Sequence, residues 1–227
     1  ILTDQEAIHC SKVKRHKVGD IIFTTDGAGC IYRAQITSIS SKEVLLSIVE
    51  VINNSPNRDY ELIMAVALTK NIDRFEWFLE KSVEIGVDRI IPLVCERSER
   101  RVVNQSRGEK IVVSAMKQSL KSILPIYSSL TTFKELMNEF STDDSICKMV
   151  AHCNESHKND IKSTIVNTMN EGVNRFLVMI GPEGDFSPNE IELAMKSGFV
   201  PISLGSSRLR TETAALTAVS ALYFSYL

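Results

Sequence analysis

The sequence predicts a small β domain followed by an α/β domain with a mostly parallel sheet. Three features carry that prediction. The first fifty residues hold strand-length, β-branched segments separated by turns. Asn53-Asn54-Ser55-Pro56-Asn57 then places five chain breakers in a row. Beyond them, apolar strand-like runs alternate with segments of helical periodicity.

Within the β domain, Asp20–Thr25 reads as a strand running into Asp26-Gly27, a hairpin turn signal. Cys30–Ile36 and Glu43–Val51 follow at strand length, and short strands between turns suggest a small barrel. The boundary falls at the breakers, giving domains 1–57 and 58–227. Leu62–Leu68 is a continuous apolar run, as a strand buried on both faces should be. Asp73 is placed to cap the next helix, whose Phe75, Phe78, Leu79, Ser82 and Val83 share one face and which ends at Gly86. Arg89–Val94 returns to strand, with Pro92 marking an irregularity or an edge. Helices near Glu109–Leu120, Phe133–Phe140 and Ile161–Met169, and a strand near Ile146–Ala151, complete the middle of the chain.

The last fifty residues repeat one unit twice: strand, glycine-bearing polar loop, helix. Phe176–Ile180 leads into Gly181-Pro182-Glu183-Gly184-Asp185-Phe186, and Ser187, Pro188 and Glu190 then fit N-cap, N1 and N3 of a helix. Ile191, Ala194 and Met195 form its expected buried stripe, and Gly198 ends it. Pro201–Leu204 runs into Gly205-Ser206-Ser207-Arg208-Leu209-Arg210, and the final helix starts near Thr211. If both strands are parallel in one sheet, both loops leave from the edge where open α/β sheets bind ligands. The loops contain neither a Walker sequence nor G-x-G-x-x-G, so phosphate cradling is not indicated. The final helix is apolar on nearly every side from Ala214 to Phe224, which fits either a central core helix or a contact with another chain.

Composition bounds the function. With 26 Lys and Arg against 28 Asp and Glu, the formal charge is −2, which argues against a protein that coats nucleic acid indiscriminately. The charge is unevenly spread: His9–Asp20 carries four bases and one acid, whereas Phe133–Lys162 carries six acids and four bases. No apolar run reaches membrane-spanning length, and Ile1–Glu6 has no signal-peptide character, so a cytoplasmic location is expected. Five scattered cysteines argue for reduced thiols rather than a disulfide framework. Cys147, His152, Cys153 and His157 form one local cluster, but its spacing does not match a zinc finger, and no metal is expected.

Ile180-Gly-Pro-Glu-Gly-Asp-Phe-Ser, followed by Leu204-Gly-Ser-Ser-Arg-Leu-Arg-Thr-Glu-Thr-Ala214, resembles the paired signature of bacterial 16S ribosomal RNA (uracil-N3)-methyltransferases of the SPOUT superfamily. Further matches fall in the family's order. His9, Val13, Arg15 and Gly19-Asp20 resemble the start of its PUA-like barrel, and Leu68-Thr-Lys70, Arg74 and Glu80-Lys81 resemble the opening of its catalytic domain. Pro92, Glu96-Arg97-Ser98 and Gln118-Ser119 continue the series. Ser206-Ser207-Arg208 stands where the family usually has Pro-Arg-Ile, Lys121 where an arginine is common, and Lys14 where leucine is usual.

The resemblance implies a PUA-like RNA-binding β-barrel and a SPOUT domain with a C-terminal trefoil knot around S-adenosylmethionine. It also implies a homodimer acting on 16S rRNA in the 30S subunit, at N3 of one uridine (the family's target is uridine 1498). It assigns Leu68, Ile180, Gly181, Pro182, Glu183, Gly184, Leu204, Gly205 and Leu209 to the cofactor pocket, and Arg210, Glu212 and Glu183 to catalysis. Lys12, Lys14, Arg15, Lys17, Arg97, Arg100, Arg101, Gln118 and Lys121 are the expected RNA contacts, with solvated surface charge as their alternative. The rival functions are a non-catalytic RNA-binding assembly factor, a related enzyme acting on another RNA position, and a small-molecule α/β enzyme.

Overall fold

Alternation of inward apolar and outward polar side chains in the first fifty residues yields an antiparallel sheet. In the computed structural model, which describes residues 1–53, 58–153 and 157–227, it comprises β1 (Leu2–Thr3), β2 (Ile21–Thr25), β3 (Cys30–Ile39) and β4 (Glu43–Asn53), in the order β1-β4-β3-β2. A helix α1 (Asp4–Ile8), continued by a π-helical turn over His9–Val13, packs Ala7 and Cys10 against Ile36 and Val44. Register shifts at Arg33/Ala34 and Ile36/Ser38 bend β3 and curl the sheet. Among the described residues β1 does not pair with β2, so the small barrel suggested by the sequence takes the form of a curled half-barrel. Asn53 ends β4, and residues 54–57 of the expected linker lie outside the described residues.

The sequence did not indicate that this unit includes Leu120–Leu124 as well as Ile1–Asn57. That segment pairs Ile123 with Ala28. Leu124 N–H donates to Gly27 O at 2.8 Å and Gly29 N–H to Ser122 O at 3.0 Å. Leu120, expected at the end of a helix, instead has a φ of 55° and lies beyond it.

The second unit, Arg58–Ser119 with Pro125–Leu227, contains β5 (Glu61–Ala67), α2 (Ile72–Ile85), β6 (Arg89–Val94), α3 (Gln105–Gln118), β7 (Ile126–Tyr127), β8 (Thr131–Thr132) and α4 (Phe133–Phe140). It continues with β9 (Cys147–Ala151), β10 (Asn159–Asp160), α5 (Ile161–Asn170), β11 (Arg175–Ile180), α6 (Pro188–Lys196), β12 (Val200–Ser203) and α7 (Thr211–Ser225). The strands form a sheet in the order β10-β12-β9-β11-β5-β6-β7, with β8 also on β6, and every described ladder is parallel. Apolar strands buried on both faces are the expected consequence. Leu62, Met64 and Val66 of β5 join the core that holds α2, α3, α5 and α7, whereas Ile63, Ala65 and Ala67 face α4 and α6.

Local chemistry sets the helix ends, with some departures from expectation. Asn71, not Asp73, caps α2: its side chain accepts from the Asp73 N–H at 3.0 Å. Asn104 caps α3, which begins at Gln105, four residues earlier than the periodicity placed its start. Pro92 pairs with Val66 on one side of β6, and on the other it falls between the β7 ladder at Arg89–Ile90 and the β8 ladder at Leu93–Val94. Its missing N–H therefore breaks no outer hydrogen bond. Ser187 and Glu190 form the expected capping box of α6. Met195 is half exposed rather than part of that helix's buried stripe, which is carried by Ile191 and Ala194. Helix α7 buries Ala215, Ala218, Val219 and Leu222 but leaves Tyr223 and Phe224 outside.

Candidate functional site

The carboxyl ends of β12, β9, β11, β5 and β6 form one continuous edge of the sheet. The two glycine-bearing loops do leave from it, but not from adjacent strands: Ala151 of β9 pairs with Ile180 on one side and Ile202 on the other. Residues 181–187 and 204–210 therefore straddle the carboxyl end of β9, the edge at which parallel sheets receive ligands.

A hydrogen-bond network fixes the first loop. Gly181 O accepts from Thr211 Oγ1 at 3.1 Å, tying the end of β11 to the first turn of α7. Glu183 Oε1 accepts from the Lys70 N–H at 2.9 Å, joining this loop to residues 68–71 after β5. Asp185, at a φ of 62°, accepts on Oδ2 from the Cys153 N–H at 3.0 Å. Glu190, largely buried, accepts on Oε1 from the Glu96 N–H at 2.8 Å and on Oε2 from the Ser187 N–H at 2.9 Å. Any side chain at position 181 would meet the buried Phe186 ring at 3.0 Å.

The second loop is open. Leu204 and Leu209 are half-buried, Gly205 to Arg208 and Arg210 are exposed, and Gly205 has a φ of 114° with nothing near its missing Cβ. The Arg210 side chain has no hydrogen bond or ion pair to any described residue, while its backbone forms the N-cap of α7. Two positions on, Glu212 is buried; its Oε1 lies 3.8 Å from Arg74 Nε, and its Oε2 has no partner among the described residues. An unsatisfied buried carboxylate oxygen at a ligand-binding edge marks a place where a proton or donor is missing.

His152, the first residue after β9, is also buried, and neither ring nitrogen has a partner among the described residues. Burial foremost, then the charge of Lys158, pushes its pKa below the usual imidazole value, against a weaker opposing effect of Asp185. Among the described residues, no group of three or more His, Cys, Asp or Glu is placed to hold a metal ion.

The structure divides the expected RNA contacts. Lys12, Lys14, Arg15 and Lys17 are exposed on the first unit. Arg97, Arg100 and Arg101 of the second unit instead donate to backbone: Arg97 Nη1 to Gly184 O at 3.2 Å, Arg100 Nη2 to Lys70 O at 3.0 Å, and Arg101 Nη2 to Glu96 O at 2.7 Å. Their first effect is to hold the loops of the site. Gln118 is exposed at the end of α3, and Lys121 is half-buried in the segment that joins the first unit. A cleft of about 630 Å³ beside α2 is lined by Asp73, Glu76, Arg100, Val102, Asn104 and Arg107, among others. The sequence reading missed His152 as part of the edge and the pairing of Arg74 with Glu212; the one signal for His152 was its position directly after a strand.

Residues 56–223 match the family described as an RNA methyltransferase domain, and residues 2–49 match an RNA methyltransferase PUA domain. The chain belongs to the RNA methyltransferase family. The ribosomal RNA small subunit methyltransferase E of Buchnera aphidicola subsp. Acyrthosiphon pisum (strain APS) is 30% identical over 97% of this chain and 86% of its own length. Among solved structures, a "probable rRNA-methyltransferase" from Porphyromonas gingivalis is 35% identical, with 99% of this chain and 92% of that one covered and a TM-score of 0.87. A ribosomal RNA small subunit methyltransferase E from Neisseria gonorrhoeae, bound to S-adenosyl methionine, is 26% identical, with 97% and 89% covered and a TM-score of 0.84. For this RNA methyltransferase, the edge from β12 to β6 is therefore the candidate active site.

Proposed function

We propose that the chain methylates N3 of one uridine in the 16S rRNA of the small ribosomal subunit, with S-adenosylmethionine as methyl donor. The observation that carries this reading is the register at β9: the loops that bear the paired signature leave the strands on either side of it, and the buried, half-partnered Glu212 follows the second loop. The donor's fit is supported by the open space at Gly205 and by unpartnered polar atoms on His152 and Glu212. The sulfonium of that donor supplies an activated methyl electrophile.

The protein's task is then alignment of the uracil nitrogen and management of its proton. Loss of the N3 proton puts negative charge on the two flanking uracil oxygens, and the uncommitted guanidinium of Arg210 is the donor to stabilise it. Of the two carboxylates, Glu183 is fixed by the Lys70 N–H. Glu212 has a free oxygen, so it is the better proton acceptor as well as the partner of Arg74. The target base has to be exposed or flipped out to reach this edge. Lys12, Lys14, Arg15 and Lys17 of the PUA domain bind phosphates. The same reading includes a cytoplasmic homodimer with Tyr223 and Phe224 of α7 at its interface, and a trefoil knot in the C-terminal chain.

The test is methyl transfer from labelled S-adenosylmethionine to 30S subunits of a strain deleted for this gene, with the modified nucleotide mapped by mass spectrometry. Methylation at uridine N3 in 16S rRNA is expected. Transfer to another position would replace the target, and binding of subunits with no transfer at all would leave an RNA-binding assembly factor.

A further inference from the structure

His152 directly follows β9, one residue beyond Ala151, which is paired to Ile180 and Ile202. In chain register it therefore stands between the first residue of one loop, Gly181, and the last residue before the other, Ser203. Its ring is largely buried, yet neither nitrogen has a hydrogen-bond partner among the described residues. A buried imidazole with neither nitrogen paired is uncommon, because each unmet group forfeits its hydration. The segment is held in place: Cys153 N–H donates to Asp185 Oδ2 in the loop after β11. The charged groups acting on the ring are Lys158 and Asp185, and burial together with Lys158 disfavours the imidazolium.

We propose that His152 is a cofactor-binding residue that hydrogen-bonds the nucleoside half of the methyl donor. This inference rests on S-adenosylmethionine being that donor. A neutral imidazole presents one N–H donor and one acceptor. That pair complements the uncharged donor and acceptor groups of an adenine edge or a ribose hydroxyl. It is poorly suited to the donor's α-carboxylate, which calls for a cation, or to its ammonium, which calls for an anion. The histidine thus recognises the part of the donor that takes no part in the reaction, and its role is orientation.

The chain has four histidines, so the ring ¹⁵N signals of the wild-type protein can be followed individually while S-adenosylhomocysteine or methylthioadenosine, which lacks the amino-acid end, is added. Both ligands are expected to shift the His152 signals and fix one tautomer. His152→Ala should weaken both by roughly tenfold or more, as loss of a buried hydrogen bond does, with His152→Gln restoring part of the affinity. Binding that leaves the His152 signals unmoved, or a loss confined to S-adenosylhomocysteine, would overturn the inference while leaving the donor assignment intact. A wild-type protein that binds neither S-adenosylmethionine nor S-adenosylhomocysteine would remove the donor assignment and this inference with it.

Discussion

The loops after β11 and β12 carry similar residue types and play different physical parts. Residues 181–187 are held by Thr211, Lys70, Arg97, Cys153 and Glu190, and position 181 is packed on Phe186. Residues 204–210 are mostly exposed, with space around Gly205 and an unpaired Arg210. The first is a preorganised floor whose dipoles are fixed before any ligand arrives. The second keeps its guanidinium uncommitted for the ligand. Polar, glycine-bearing composition alone does not distinguish a scaffold from a working surface; the partners of the polar groups do.

The largest effect should come from the open loop. Arg210→Ala is expected to lower methyl transfer by about 10²–10³-fold with little change in S-adenosylhomocysteine affinity, measured by single-turnover transfer and calorimetry. Retained turnover would take Arg210 out of the chemistry and blur the contrast between the loops. The two glycines should next fail in different ways. Gly181→Ala drives a methyl group into the Phe186 ring and should cost about 1–3 kcal/mol of stability, as overpacking does. Gly205→Ala meets nothing but forces an alanine into a left-handed backbone, costing about 1–2 kcal/mol. Thermal unfolding measures both; no loss in Gly181→Ala would mean that the first loop yields around Phe186 and is not the fixed one.

A smaller effect separates the basic residues. Replacing Lys12 and Arg15 by Gln should reduce the slope of log K against log salt for 16S rRNA binding by about 2. Arg97→Gln should leave that slope nearly unchanged, because its guanidinium is committed to Gly184 O and Phe186 O. The smallest is a pH effect. His152 has a folded-state pKa below its ordinary value of 6.5, so above that value the group is neutral in both states and costs nothing. As pH falls below 6.5 the unfolded chain binds the proton first, and stability declines until the folded pKa is passed. Unfolding midpoints between pH 7.5 and 5 should show this decline in the wild type and less of it in His152→Gln.

Much of the second unit was legible in the sequence because its signals are local. The capping box at Ser187 and Glu190, the apolar runs of β5 and β11 and the spacing of Phe75, Phe78 and Leu79 each depend on neighbours a few residues away. What was not legible is what distant pairing decides. Nothing in the spacing of the last fifty residues says that β9 enters between β11 and β12, since a parallel strand selects its partner through side chains far off in sequence. Met195 was expected on the buried stripe of α6 and lies half outside, because Ile191 and Ala194 already fill the contact. The resemblance supplied candidate residues for the site, but the backbone bonds that Arg97, Arg100 and Arg101 make to Gly184, Lys70 and Glu96 depend on distant loops and are not visible in the sequence. Conversely His152, set aside in sequence as one of four residues in an ill-spaced metal cluster, acquires interest only once both nitrogens prove unpartnered among the described residues.

The bridge from Ile123 to Ala28 also bears on how the molecule is made. A ribosome delivers the amino end first, and a compact unit generally folds as it emerges. Here the first unit cannot complete its contacts until residue 124 has left the exit tunnel, by which time β5, α2, β6 and α3 have been synthesised. A fragment cut at residue 57 therefore lacks part of its own fold, and the strand-closing segment has to be supplied from the enzyme half of the gene.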